Sequence, residues 1–127
     1  MLHIDIRTTV RGSVPRIPFE DIARSILPSH YELSLVICGD TLARRINEVT
    51  RKKTYSPNVL SLPIDAHEGE IFLNLRKAER EARQEGISLR ARLALLYVHG
   101  LYHLKGLDHS PNMESLEQKT LKKFELA

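Results

Sequence analysis

The stretch that decides the fold is SLRARLALLYVHGLYHLKGLDHS, residues 88 to 110. Its first part predicts a long helix in which His99 and His103 lie four residues apart. Both imidazoles then lie on one face of the helix, one turn apart. Gly106 predicts a turn with positive φ that ends the helix, after which His109 can return to the other two histidines.

Three imidazoles at this spacing indicate a metal site. The pattern His-Gly-x-x-His-x-x-Gly-x-x-His has the spacing of the extended zinc motif of the metzincin proteases. Three neutral imidazoles with an open fourth position are typical of catalytic zinc. We expect one Zn²⁺ per chain, held by His99, His103 and His109, although imidazole also suits other divalent transition metals.

Gly100 stands where those proteases have glutamate, and this argues against proteolysis. The glutamate normally activates the zinc-bound water, so a protease would need a base from elsewhere. Zinc alone lowers the pKa of bound water to about 7, which makes hydroxide available without a dedicated base. Phosphodiester hydrolysis fits such a site if an arginine stabilises the negative charge of the transition state.

Two other polar residues bear on the site. Asp108, next to the third histidine, could accept a hydrogen bond from the second ring nitrogen of a ligand and orient it. It could equally cap the following helix, and we slightly favour the role in the site. His67 is interpreted as a loop residue rather than a fourth ligand.

Composition indicates one soluble globular domain over residues 1–127, with 42% apolar and 28% charged residues. The chain has one cysteine, Cys38, which excludes an internal disulfide and weakly favours a reducing compartment. The amino-terminal residues do not resemble a signal peptide, and no apolar run reaches the roughly 20 residues of a membrane span. We therefore expect a cytoplasmic protein without a membrane partner.

Periodicity along the chain predicts an α+β fold, a small mixed β-sheet packed with helices. The element order is βαβαββααα, and Pro57 and Pro63 mark the third strand as an edge strand. The expected strands are 2–10, 31–38, 56–64 and 69–75, and the expected helices are 19–27, 39–52, 75–86, 88–106 and a last one from Pro111. The expected helix boundaries are Asp40 or Thr41 and Ser88 as N-caps and Gly86 after a C-terminus.

A net charge of +3 and a pI near 9.2 permit a nucleic-acid partner without establishing one. Positive charge is concentrated in RRINEVTRKK, residues 44–53, where Glu48 is the single acidic residue. Taken alone, this cluster is best interpreted as a solvated helix end. Its basic members are Arg44, Arg45, Arg51, Lys52 and Lys53.

Three segments together resemble the YbeY family of bacterial rRNA maturation factors. HGLYHLKGLDH (99–109) is similar to that family's His-Gly-x-x-His-Leu-x-Gly-x-Asp-His signature. RKKTYSPNVLSLP (51–63) resembles its Arg-x-Lys-x-x-x-Thr-Asp/Asn-Val-Leu-Ser-Phe-Pro segment, and GEIFLN (69–74) resembles a strand of the family. The resemblance covers about residues 35–120 in the family's order. The segment after the third histidine is shorter than is usual in the family.

The resemblance implies a zinc-dependent, single-strand-specific endoribonuclease that matures ribosomal RNA, including the 16S 3′ end, and contacts the small ribosomal subunit. The three histidines would be the zinc ligands, and Arg51 the catalytic cation near the metal. The expected RNA-binding residues are Arg44, Arg45, Lys52 and Lys53 on a basic rim, and Asn58 and Ser61 on a strand near the cleft. The alternatives are a protease-like hydrolase and a non-catalytic factor that binds RNA or the ribosome and contains a structural metal.

Overall fold

The computed structural model describes residues 1–108 and 110–126, and its elements follow the predicted order. The strands are β1 (His3–Thr8), β2 (Glu32–Cys38), β3 (Val59–Asp65) and β4 (Glu68–Asn74). The helices are α1 (Phe19–Ile26), α2 (Asp40–Arg51), α3 (Leu75–Glu85), α4 (Leu89–Leu104) and α5 (Pro111–Lys123). None of the helices in these described residues has the length and apolar composition needed to cross a membrane.

The sheet is mixed, as predicted. Its strand order is β1-β2-β4-β3, with β1 parallel to β2, β2 parallel to β4, and β3 antiparallel to β4. β3 is therefore an edge strand, which confirms the interpretation of the two prolines. Pro63 lies opposite Gly69, and the register shifts directly after it, in keeping with the missing N–H of proline.

Both faces of the sheet are covered. Leu33, Leu35 and Ile37 of β2 belong to the main core, which also contains buried residues of α1, α3, α4 and α5. Val36 and Cys38, which alternate with them, belong to a smaller core that α2 covers. Burial on both faces explains why β2 is an almost continuous apolar run. Burial also raises the pKa of the Cys38 thiol to about 11.

Helix α4 is held against the rest of the core by its buried face. Tyr97 is fully buried, and its hydroxyl donates a hydrogen bond of 2.7 Å to the Phe19 carbonyl oxygen. The two rings also meet edge to face at 4.9 Å between centroids, a favourable arrangement for aromatic pairs. These contacts fix the position of the helix that presents the histidines.

Most of the predicted helix boundaries are correct. The Ser88 hydroxyl accepts a hydrogen bond from the Ala91 amide at the start of α4. Gly86 and Gly106 have φ angles of 67° and 97°, so they take up the left-handed backbone that ends a helix without steric cost.

The predicted side-chain cap of α2 is wrong. Gly39 is the N-cap residue, Asp40 is already helical, and no side chain caps this end. The Asp40 carboxylate instead accepts hydrogen bonds from Asn74 at 2.9 Å and from Arg80 at 2.9 Å. The Asn74 amide nitrogen also donates to the Pro57 carbonyl oxygen at 3.1 Å. Asp40 therefore joins α2 to the start of α3.

The Asp40 network predicts a specific dependence of stability on pH. Hydrogen bonds from Arg80, and then Asn74, lower the pKa of Asp40 to about 2 in the folded protein, against about 3.9 in an unfolded chain. A depressed carboxyl pKa stabilises the fold above about pH 4, and this contribution disappears as the pH falls towards 2. Asp40→Asn should therefore lower the melting temperature at pH 7, with a difference that shrinks between pH 4 and pH 2.

Thermal unfolding followed by circular dichroism across this range measures the effect. Asp5→Asn is the matched control, because Asp5 is exposed and lies 3.9 Å from Arg7, an ion pair of little expected energy. A difference between Asp40→Asn and the parent protein that does not change with pH would contradict the assignment.

Candidate metal centre

A cleft of about 700 Å³ lies between edge strand β3 and helix α4. Its volume falls in the range of small-molecule and substrate sites. Side chains from four elements and one loop residue line it: Arg51, Asn58, Val59, Leu60, Ser61, Arg92, Leu95, Leu96, His99, His103 and Glu117. The cleft therefore brings together residues that are far apart in the sequence.

His99 and His103 converge in this cleft as the helical spacing predicts. Their Nε2 atoms are 2.9 Å apart, and their rings meet at 4.4 Å between centroids with an interplanar angle of 86°. Both side chains come from consecutive turns of α4. The pair consequently directs two nitrogen atoms at one point.

The partners of the other ring nitrogens determine the tautomers. His103 Nδ1 lies 3.0 Å from the Leu107 carbonyl oxygen, which can only accept a hydrogen bond, so Nδ1 donates. His99 Nδ1 lies 2.6 Å from Glu117 Oε2, and a carboxylate likewise accepts. In a neutral imidazole that donates from Nδ1, Nε2 is the nitrogen with the lone pair that can bind a metal, and the two Nε2 atoms lie 2.9 Å apart.

This donor set fits a divalent transition metal. Two imidazole nitrogens that approach the same point are typical ligands of zinc and of other divalent transition metals. Histidines that bind a metal usually donate a hydrogen bond from their second ring nitrogen to a carboxylate or a carbonyl oxygen. His99 and His103 both have such a partner. His99 and His103 would therefore hold the ion.

The third predicted ligand of the metal centre is His109. Within residues 1–108 and 110–126, no group of three His, Cys, Asp or Glu side chains is placed to hold a metal. His109 lies outside the described residues, and its assignment as third ligand stays a prediction.

Asp108 is exposed. The second ring nitrogens of His99 and His103 are met by Glu117 and Leu107, so Asp108 orients neither of them, and a role of Asp108 in orienting His109 stays a prediction. The alternative, a helix cap, is filled by Ser110, whose hydroxyl accepts from the Met113 amide.

Gly100 lies where α4 packs closely against the sheet. A Cβ added there would stand 2.9 Å from Ser61 Oγ, 3.2 Å from Val59 Cγ2 and 3.3 Å from Ile71 Cδ1. The Ser61 hydroxyl donates to the Gly100 carbonyl oxygen at 2.9 Å. Any side chain at position 100 would therefore start from a Cβ crowded against β3 and β4, so this position suits glycine better than the glutamate of the proteases.

Arg51 lines the cleft as the last residue of α2. Lys52 follows it in left-handed backbone (φ 56°), and Lys53 is exposed beside it. Arg44 is exposed one to two turns earlier and pairs with Glu48 at 3.1 Å. Arg45 does not line the cleft and borders a separate surface cavity with Arg76.

Asn58 and Ser61 both line the cleft, and both also make contacts within the fold. The Asn58 amide nitrogen donates to the carboxylate of Glu81 at 3.2–3.3 Å, and Ser61 donates to Gly100. Their predicted contacts with RNA would have to coexist with these hydrogen bonds.

Two charged residues that line the cleft escaped the sequence analysis. Glu117 is 6% exposed and contacts His99; the available signal was a carboxylate on the apolar face of α5, between Met113 and Leu121. Arg92 lies two turns before His99 on α4, and its guanidinium pairs with Glu81 at 2.8 Å. The helical spacing of residues 92, 96, 99 and 103 could have indicated a shared face.

Comparison with known proteins gives one consistent family. The profile of the family described as Endoribonuclease YbeY matches residues 13–125. An endoribonuclease YbeY of Helicobacter pylori (strain Shi470) is 33% identical over 123 residues, which cover 94% of this chain and 86% of the relative. One from Aromatoleum aromaticum is 36% identical over 108 residues, with 83% and 70% covered. One from Pseudomonas putida (strain F1) is 30% identical over 139 aligned positions, with 100% and 88% covered.

A solved structure shares the fold. The solution structure of a Thermotoga maritima protein superposes with a TM-score of 0.68 at 20% identity, covering 98% of this chain and 89% of the other. This likeness supports the α+β architecture described above.

The contact at Gly100 predicts that adding one methyl group there is destabilising. Overpacking costs about 1–3 kcal/mol, and the better helix propensity of alanine offsets about 1 kcal/mol. Gly100→Ala should therefore lower the free energy of unfolding by up to about 2 kcal/mol, measured by urea denaturation. Ser61→Ala alone should cost about 1 kcal/mol for the lost hydrogen bond.

In the double variant, Gly100→Ala should cost less than it does in the parent protein, because removing Ser61 Oγ relieves the shortest contact. Strictly additive effects would show that this contact does not limit the approach of α4 to β3.

Proposed function

Because this chain belongs to the endoribonuclease YbeY family, we propose that it is a metal-dependent endoribonuclease that cleaves single-stranded RNA. The observation that carries the proposal is the meeting of His99, His103 and Arg51 in one cleft. Two imidazole nitrogens that can hold a metal ion, in one cleft with an arginine, suit phosphodiester hydrolysis. His109 is proposed as the third ligand and Zn²⁺ as the preferred ion.

When bound, such an ion supplies Lewis acidity and an activated water near neutral pH. The residues of the chain supply the rest. Arg51 is proposed to hold the negatively charged phosphate oxygens and to stabilise the charge that develops in the transition state. Within the described residues, Arg51 forms no salt bridge, so its guanidinium is available to a phosphate. Arg92, by contrast, is paired with Glu81 and Glu85.

The RNA strand is proposed to enter along the end of α2. Lys52 and Lys53 are exposed directly after Arg51 and would bind the backbone phosphates that flank the cleaved bond. Arg44 would extend this surface, and Arg45 would contact the strand only if RNA also follows the neighbouring cavity. Asn58 and Ser61 would contact the RNA inside the cleft.

Proteolysis is less well supported than RNA cleavage. The position that holds the base of the related proteases is Gly100, where a side chain would collide with Ser61 and Val59. Of the carboxylates in the described residues, only Glu117 lines the cleft, and it is engaged with His99.

We further propose that the substrate is ribosomal RNA, including the 3′ end of 16S rRNA, and that the protein acts with the small ribosomal subunit in the cytoplasm. The support is family membership together with the basic segment 44–53. The single cysteine, Cys38, is a buried free thiol, which suits a reducing compartment. Mapping 16S 3′ ends in a bacterial strain that depends on this protein would test this part.

Arg51→Ala should reduce the cleavage rate of a single-stranded RNA by about 100-fold or more, the usual effect of losing one group that stabilises transition-state charge. Metal content should be unchanged, because Arg51 is not a ligand. Arg83→Ala is the matched control, since Arg83 is an exposed arginine in the last turn of α3 and complements a helix dipole in the same way.

His99→Ala should lose both the metal and the activity, as measured by elemental analysis and the same RNA assay. Full RNA cleavage by both Arg51→Ala and His99→Ala would exclude the proposed catalytic centre. Metal-dependent peptide cleavage without RNA cleavage would indicate the protease-like alternative.

A further inference from the structure

Glu117 occupies an unusual environment for a carboxylate. It projects from the buried face of α5, and its side chain is 8% exposed. Burying a carboxylate is costly unless a hydrogen-bond or charge partner compensates it. Among the described residues, no lysine or arginine pairs with Glu117, and its recorded partner is the imidazole of His99.

Fastening α5 to α4 does not require this carboxylate. The Tyr102 hydroxyl bonds to Thr120 Oγ1 at 2.7 Å one turn further along α5. Met113 and Leu121 on the same helix are 1% and 3% exposed in the main core. These contacts already join the two helices, so the burial of Glu117 calls for a function at His99.

The Nδ1 atoms of His99 and His103 have different hydrogen-bond partners. His99 Nδ1 has a carboxylate at 2.6 Å, whereas His103 Nδ1 has a neutral carbonyl at 3.0 Å. Hydrogen bonds to ionised groups are shorter and about twice as strong as neutral ones. The carboxylate therefore fixes the His99 ring more firmly and makes its Nε2 the better electron donor of the pair.

We propose that Glu117 is a positioning residue of the metal centre, which holds His99 in the tautomer and orientation that direct Nε2 at the ion. This inference rests on the proposed function, because it concerns the same centre. It also assigns α5, which follows the histidine motif in the chain, a direct part in metal binding.

Metal affinity of the whole chain tests the inference. Apoprotein prepared with a chelator is titrated with Zn²⁺ and with Co²⁺ against a competing indicator. Glu117→Gln keeps a hydrogen-bond acceptor of the same shape and should weaken binding about 10-fold; Glu117→Leu removes the acceptor and should weaken it about 100-fold. The visible spectrum of the Co²⁺ form should shift in Glu117→Gln, because the donor strength of His99 changes.

Two variants of the same helix separate this effect from a structural one. Glu114→Gln removes an equal charge at an exposed position and should bind both metals like the parent protein. Thr120→Val removes the hydrogen bond to Tyr102, and should lower the melting temperature of the apoprotein without changing the metal Kd.

The outcomes distinguish this inference from the proposed function. Parent-like metal Kd values and Co²⁺ spectra for both Glu117 variants would overturn the inference alone. A parent protein that binds no stoichiometric metal would overturn the inference together with the metal centre. Weakened binding in the Glu117 variants combined with an absence of RNA cleavage by the parent protein would support Glu117 as a positioning residue and overturn the proposed function.

Discussion

The close approach of α4 to the edge of the sheet is the constraint on which the site depends. Glycine at position 100 lets the helix backbone come near β3 without crowding, because a Cβ there would lie 2.9 Å from Ser61 Oγ. The same serine donates to the Gly100 carbonyl oxygen. Three residues earlier, Tyr97 ties the helix to α1. Held by both contacts, α4 presents His99 and His103 along the wall of the cleft.

The electrostatic potential in the cleft depends on which of its charged side chains are already paired with an opposite charge. Arg92 is compensated by Glu81 and Glu85, and Glu117 is turned towards His99. Arg51, at the end of α2, forms no salt bridge among the described residues. The positive charge available to a substrate therefore lies at the α2 end of the cleft, on the side where the basic segment continues into the loop. This polarity suits an anionic, extended substrate better than a peptide.

Much of the fold could be predicted from local patterns. The element order, the edge position of β3 and the turn at Gly106 follow from alternation, proline and glycine, which act within a few residues. The cap of α2 could not be predicted, because Asp40 satisfies the short-range rule for an N-cap but is engaged by Asn74 and Arg80 from elsewhere in the chain. Tertiary hydrogen bonds outweighed a local preference there.

The sequence by itself determined the pairing of His99 with His103, because a spacing of four residues on a helix leaves no other arrangement. It also indicated Arg51, but only through resemblance to a family. Tertiary structure alone decided that Arg51 lines the same cleft as the histidines and that Glu117 contacts His99, 18 residues away in sequence. Those contacts depend on how α2 packs against the sheet and how α5 packs against α4. The pattern of residues along a single chain does not predict such packing between distant segments.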